Sequence, residues 1–262
     1  MLQIAIEAAL EAGKYLKENV GKIRRIEHKG GHETNLVTEI DQNAEAMIIG
    51  RIKKRFPDHD FLGEESGSAE VKSEYRWIID PLDGTVNYTH GLPIYSVSIG
   101  LEHEGKIVLG AVYDPSLDEL FTAEKGKGAR LNKERIHVTK TQRLMESLIV
   151  TGFPYSINEK PEPELTHFRN FVMESQAVRR LGSAAIDLCY VACGRFDGFR
   201  EGTLNAWDMA AGVLLVTEAG GTWTDYSGAP SSVYNPQMLA TNGLIHKQMI
   251  AVLKKGIVSH GL

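Results

Sequence analysis

Residues 75–90, YRWIIDPLDGTVNYTH, constrain this chain more than any other stretch. Tyr75, Trp77, Ile78 and Ile79 suit a buried strand, where bulky and β-branched side chains pack on a pleated surface. Pro81 has no N–H to give a ladder, so the strand is expected to stop there and turn. Asp80 and Asp83 then sit together at its end, with Gly84 and Thr85 following. Two carboxylates held at a proline-fixed bend repel each other unless a cation lies between them. Carboxylate and carbonyl oxygens are the ligands that Mg²⁺ takes. The N–H groups of Gly84 and Thr85 would seat an anion beside it. The same spacing also describes an ordinary turn whose Asp side chains cap their own backbone.

Composition narrows the classes of function. The chain has 262 residues, 42% of them apolar, enough for one large domain or two tightly joined ones. Its formal charge is −5 and no basic stripe interrupts it, which argues against a direct nucleic-acid surface. The densest basic run, KIRRIEHK at 22–29, reads as a solvated helix end or loop. Cys189 and Cys193 lie four apart in LCYVAC and read as small buried apolar side chains. Two cysteines make no disulfide framework, so a reducing cytoplasm is expected. Glu7 and Glu11 interrupt the apolar N-terminus, so it does not read as a signal peptide, and no stretch is long enough to span a membrane.

The spacing predicts an amphipathic helix over 2–20 with Leu2, Ile6, Ala9, Leu10, Gly13, Leu16 and Val20 facing inward. Gly21 would close it. A second helix is expected from Thr38 to about Arg55, burying Ala44, Met47, Ile48 and Ile52. FLGEESG reads as a strand running into a loop, which puts Glu64 at a strand's end. Hairpin-like strands follow in IYSVSIGLE, KIVLGAVYD, ELFTAEKG and GARLNKERIHV. After Thr141, strands alternate with helices, including one at 164–174 with Leu165, Phe168, Phe171 and Val172. The chain therefore reads as α/β (α+β) in two lobes, 1–143 and 144–262.

Three further stretches accompany DPLDGT: GEES at 63–66, LVTEID at 36–41 and AWDMAAG at 206–212. Together, and in this order over nearly the whole chain, they resemble the inositol monophosphatase family of Mg²⁺-dependent, lithium-sensitive sugar phosphatases. The resemblance implies a layered α-β-α-β-α sandwich. It also implies about two or three Mg²⁺ per site, with Ca²⁺ or Mn²⁺ as substitutes and Li⁺ as inhibitor. Glu64, Asp80, the Leu82 carbonyl, Asp83 and Asp208 match the metal ligands, Asp80 as the bridge. Glu65 is expected beside the site. Thr85 and Asp41 match a hydrogen-bonded pair that orients and deprotonates the attacking water, so hydrolysis is direct. Gly84 and Thr85 would hold phosphate oxygens, with Asp83 and Asp208 also at the substrate. Gly182, Ser183, Ala184 and Glu201 match contacts to a polyol ring.

Several of these residues also carry a purely local reading. Asp208 would serve as the N-cap of a helix, Asp41 would close a capping box on Thr38, and Gly182–Ser183 would start a helix. The stretch from Lys29 to Leu36 departs from the family: Asn35 stands where Asp is usual, and the loop is longer, so the match of Lys29 to a basic residue near the third metal is open. The family's substrates also include fructose 1,6-bisphosphate, adenosine 3′,5′-bisphosphate, histidinol phosphate and NADP. Glu201 favours a polyol, because a carboxylate repels a second phosphate. A homodimer is implied. A role beside RNA polymerase is the alternative of another class, for which Arg179 and Arg180 would offer a partner surface.

Overall fold

The structure, a computed structural model, describes residues 1–23, 26–28, 36–68 and 73–256. The chain opens with α1 (Leu2–Asn19), β1 (Ile26–His28), β2 (Leu36–Thr38), α2 (Glu39–Arg55), β3 (Asp60–Gly63), β4 (Gly67–Ser68), β5 (Tyr75–Asp83) and a short α3 (Thr85–Thr89). Next come β6 (Ser96–His103), β7 (Lys106–Asp114), β8 (Glu119–Glu124), β9 (Ala129–Leu131) and β10 (Glu134–Arg135). The remainder carries β11 (Leu148–Thr151), α4 (Glu164–Glu174), β12 (Ala177–Arg179), α5 (Ala184–Ala192), β13 (Gly198–Glu201), α6 (Ala206–Glu218), β14 (Thr222–Thr224), β15 (Met238–Thr241) and α7 (His246–Leu253).

Eight strands form one sheet, β10-β9-β8-β7-β6-β5-β3-β4, and five form another, β12-β11-β13-β15-β14. Side-chain alternation decides what covers each face. In β5, Trp77 and Ile79 enter a core shared with α1 and α2, while Ile78 between them enters a core built on α5 and α6. In the smaller sheet, Val150 and Ala240 meet that same α5–α6 core. Ile149 and Leu239 face the other way, onto Phe171 of α4 and Met249 of α7. The α5–α6 layer is thus buried between two sheets, which is why AWDMAAGVLLV is apolar around most of its circumference. The stack is the α-β-α-β-α sandwich expected above.

Helix α6 lies close on the large sheet because the strands beneath it carry glycine. A Cβ built at Gly100 would stand 2.7 Å from the Ala210 Cβ, and one at Gly110 would stand 2.7 Å from the Ala211 carbonyl oxygen. This approach brings the first turn of α6 to the end of β5.

The structure departs from the sequence reading at several points. Strand β5 does not stop at Pro81. It pairs with β6 at Asp80↔Ser98 and again at Asp83↔Ser96, so one extra residue is accommodated between them. The missing N–H falls in this bulge, and the ladder resumes beyond it. Helix α1 forms, but it buries Ala5, Ala8, Ala9, Ala12, Gly13 and Leu16, and Leu10 is 38% exposed. Weighting the pattern by large side chains missed a contact made by small ones, which admit a close neighbour such as the Tyr113 ring against Gly13. Met47 is only half-buried, and Leu165 and Val172 are exposed on α4. Leu36–Thr38 is a strand paired with β1, which the reading did not anticipate. Lys29 and Asn35 lie outside the described residues. Among the described residues no helix is long and apolar enough to cross a membrane.

Candidate active site

Parallel pairing of β3 with β5 begins the site. Gly63 pairs with Ile79, and the Glu64 N–H donates to the Ile79 carbonyl at 3.2 Å. Glu64 and Asp80 therefore leave adjacent strand ends side by side. The bulge that follows lets the Leu82 N–H donate to Asp80 Oδ1 at 3.0 Å. Gly84 then turns the chain into α3 with φ +96°, and a side chain there would meet the Ile94 carbonyl oxygen at 2.9 Å.

Carboxylate oxygens of Asp80, Asp83 and Asp208 lie within 4.8 Å of one another. Glu64, Leu82, Gly84 and Thr85 line the same cavity of about 450 Å³, with Gly182, Ser183, Ala184 and Glu201 also in its wall. Burial, then the charges of Glu64, Asp83 and Asp208, push the Asp80 carboxyl well above the usual range. Burial, then Glu64 and Asp83, do the same to Asp208. Burial lifts Asp83 to about 6, although bonds from Ser183 and Ala185 pull it down. These acids are held together against their own repulsion, and among the described residues lining the cavity Arg180 is the one cation. The donors are all hard oxygens, with no His or Cys in the described lining, and such a set fits Mg²⁺ or Mn²⁺ rather than a thiolate-seeking metal.

Asp41 takes part in the capping box and also reaches Thr85. It sits in the first turn of α2 and closes the capping box with Thr38, accepting the Thr38 N–H at 2.9 Å and the Thr38 hydroxyl. Its other oxygen lies 2.9 Å from the Thr85 hydroxyl, which is also 3.0 Å from the Leu82 carbonyl. Asp41 is fully buried, and burial raises its pKa against the bonds from Thr38 and Thr85.

Asp208 is not the N-cap of α6. That place belongs to Asn205, whose N–H donates back to Asp208 at 2.6 Å, one turn later. Asp83 reaches across to the start of α5, accepting the Ser183 hydroxyl and the N–H groups of Ala184 (3.3 Å) and Ala185 (2.8 Å). Ser183 is the N-cap of α5, as its local reading had it, and its hydroxyl braces Asp83. Arg179 and Arg180 are both exposed, and Arg180 also joins the cavity wall.

Asp187 was missed. It lines the cavity from α5, is almost fully buried, and its Oδ1 has no hydrogen-bond partner among the described residues. Burial, then Glu201 and Asp83, push it well up, and Arg180 opposes them. Glu201 at the end of β13 is lifted to about 7, by burial first, with Arg180 pulling it down. The available signal was an Asp inside the otherwise apolar run SAAIDLCYVAC.

Converging carboxylates at strand and helix ends, between two sheets of a five-layer sandwich, define a hydrolase of the sugar-phosphatase class. A model of the inositol monophosphatase family matches residues 1–257. A Synechocystis protein named inositol-1-monophosphatase is 46% identical over 96% of this chain and 88% of its own length. An Aquifex aeolicus protein named fructose-1,6-bisphosphatase/inositol-1-monophosphatase is 42% identical over 97% of this chain and 95% of its own. A Pasteurella multocida protein named Nus factor SuhB is 41% identical over 95% and 94%. The solved inositol monophosphatase of Anabaena (Nostoc) superposes with a TM-score of 0.90 at 42% identity, covering 99% of this chain and 98% of that one. The chain belongs to the inositol monophosphatase family and is a phosphatase acting on small phosphate esters.

Proposed function

We propose that this protein hydrolyses inositol monophosphate to inositol and phosphate with Mg²⁺. The observation that carries the reading is the mutual approach of Asp80, Asp83 and Asp208 within 4.8 Å, in a cavity shared with Glu64 and the Leu82 residue. These four acids and the Leu82 carbonyl would hold about two or three divalent ions, with Mn²⁺ or Ca²⁺ able to replace Mg²⁺ and Li⁺ inhibitory. When bound, such ions acidify water and neutralise charge on the phosphate and the leaving alkoxide.

The chain's own groups do the rest. The Thr85 hydroxyl has one proton and two acceptors in reach, Asp41 Oδ1 and the Leu82 carbonyl. Were the Leu82 carbonyl to serve as a metal ligand, that proton would be left to Asp41. Thr85 then presents a lone pair to an attacking water, and Asp41 draws the proton away. Backbone N–H groups of Gly84 and Thr85 hold phosphate oxygens. The polyol ring lies against the backbone of Gly182, Ser183 and Ala184, since the Ser183 hydroxyl is already engaged by Asp83. Glu201 accepts hydrogen bonds from the ring hydroxyls. The lobes 1–143 and 144–262 close on this cleft, and the protein works as a cytoplasmic homodimer.

A phosphate-release panel over inositol 1-phosphate, fructose 1,6-bisphosphate, adenosine 3′,5′-bisphosphate, histidinol phosphate and NADP, with Mg²⁺ and with added Li⁺, tests this. Inositol phosphate should be turned over fastest, with Li⁺ suppressing the rate, and a preference for any other ester would overturn the substrate. Arg180 in the cavity wall favours fructose 1,6-bisphosphate as a second substrate, because a guanidinium suits the second phosphate. The relative named Nus factor SuhB and the exposed Arg179 support an RNA polymerase-associated role as the reading of another class. Retention of polymerase subunits on the purified protein would favour it, and their absence would sink it.

A further inference from the structure

We propose that Glu45 is the positioning residue that aims Glu64 into the metal site, an inference that rests on the reading of Glu64 given above. Glu45 lies on α2, is 3% exposed, and does not line the cavity. Among the described residues no basic side chain bridges it. Its carboxylate instead takes two consecutive backbone N–H groups. Oε2 accepts from Glu65 at 2.9 Å and Oε1 from Ser66 at 2.8 Å.

The preceding residue is shaped to the same carboxylate. A Cβ built at Gly63 would stand 2.4 Å from Glu45 Oε2 and 2.8 Å from Oε1, so the carboxylate lies flat against the Gly63 α-carbon. Glu64 is thereby bracketed. Gly63 before it touches Glu45, its own N–H is fixed to Ile79, and the two N–H groups after it are fixed to Glu45.

A buried carboxylate without a cation is costly unless its lone pairs are filled by donors. Stability alone would favour an apolar residue on this face of α2, beside Ala44 and Ile48. What the acid supplies is a pair of strong acceptors in one plane, which hold a tight turn in one geometry. Asp41 stands four residues earlier, so it shares this face of the helix. One rigid helix thus fixes both the partner of Thr85 and the turn that carries Glu64.

The test uses the full chain stripped of metal and titrated with Mn²⁺ by electron paramagnetic resonance. Glu64→Gln should weaken one site. Glu45→Gln keeps one acceptor oxygen and turns an NH₂ toward a backbone donor, releasing half of the turn. It should weaken that same site by about 10- to 100-fold, as loss of groups that orient metal ligands does. Half-saturating Mg²⁺ for turnover should rise by the same factor, with kcat at saturating Mg²⁺ held within a few-fold. Gly63→Ala, which keeps Glu45 but displaces its carboxylate, should give the same loss by a second route. Ile48→Val, a buried change on the same helix, should lower the melting temperature without moving Mn²⁺ affinity. If Glu64→Gln weakens Mn²⁺ binding and neither Glu45→Gln nor Gly63→Ala does, the positioning role is wrong. If Glu64→Gln itself leaves Mn²⁺ binding intact, the ligand assignment fails and the positioning role with it.

Discussion

Asparagine at position 83 removes a charge while nearly preserving shape, and the structure sets how large the effect should be. In the fold the Asp83 carboxyl is lifted from 3.8 to about 6, chiefly by burial. That difference is worth about 3 kcal/mol between the neutral and charged forms. The folded value lies above the unfolded one, so the contribution favours the fold below pH 3.8 and is lost as pH rises through 6. At pH 8 the metal-free protein carries this cost in full, and Asp83→Asn does not. An asparagine oxygen placed at Oδ2 keeps the Ser183 and Ala185 bonds, and its NH₂ gives up the bond from the Ala184 N–H, 3.3 Å long in the wild type. Losing that longest bond costs about 1 kcal/mol. The variant should then be more stable without metal by about 2 kcal/mol, or roughly 4–8 °C in Tm for a chain of this length. Calorimetry at pH 8 with and without Mg²⁺ reads both halves. Wild type should gain Tm on Mg²⁺ addition, while the variant gains little and loses turnover by orders of magnitude. A variant that is destabilised without metal yet still gains Tm with Mg²⁺, or that remains active, would refute the reasoning.

Three other perturbations separate the parts of the site. Glu201, lifted from 4.5 to about 7, contributes stability below pH 4.5 that is lost as pH rises through 7, so Glu201→Gln should flatten that limb of a Tm-against-pH profile and raise KM for inositol phosphate. Thr85→Val keeps the β-branch and deletes the hydroxyl between Asp41 and Leu82, so kcat should fall by about 10²- to 10⁴-fold with KM little changed in steady-state assays. Gly110→Ala places a Cβ against the Ala211 carbonyl, and forcing α6 off the sheet should cost about 1–3 kcal/mol in denaturant melts and reduce activity, because Asp208 rides on that helix.

What the sequence displayed, and what it hid, divides along one physical line. Elements held by apolar burial were legible from periodicity: α2, α6, and the meander from β6 to β8. So was the irregular backbone around Asp80 and Asp83, which a proline and a glycine announce. The errors arose where contact depends on what arrives from elsewhere in the chain. The small-residue face of α1 is a contact surface because α2 and the strands come to lie on it, the Tyr113 ring against Gly13 among them. Pro81 does not end β5 because β6 accepts a bulge there.

The charged residues of α2 and α5 carry the argument further. Helical patterning assigns a carboxylate to solvent, yet Asp41, Glu45 and Asp187 are all buried. Asp41 is held by two bonds from Thr38, three residues away, and by Thr85, 44 residues away, while the donors to Glu45, Glu65 and Ser66, lie 20 and 21 residues away. No local window contains these distant partners, so hydrophobic periodicity reads Glu45 as the outer face. An acid that interrupts an apolar stripe, as Glu45 does beside Ala44 and Ile48, is then better treated as a demand for distant donors than as a lapse in the pattern. In this chain the demand is met at the turn that carries Glu64, where a displaced ligand would matter most.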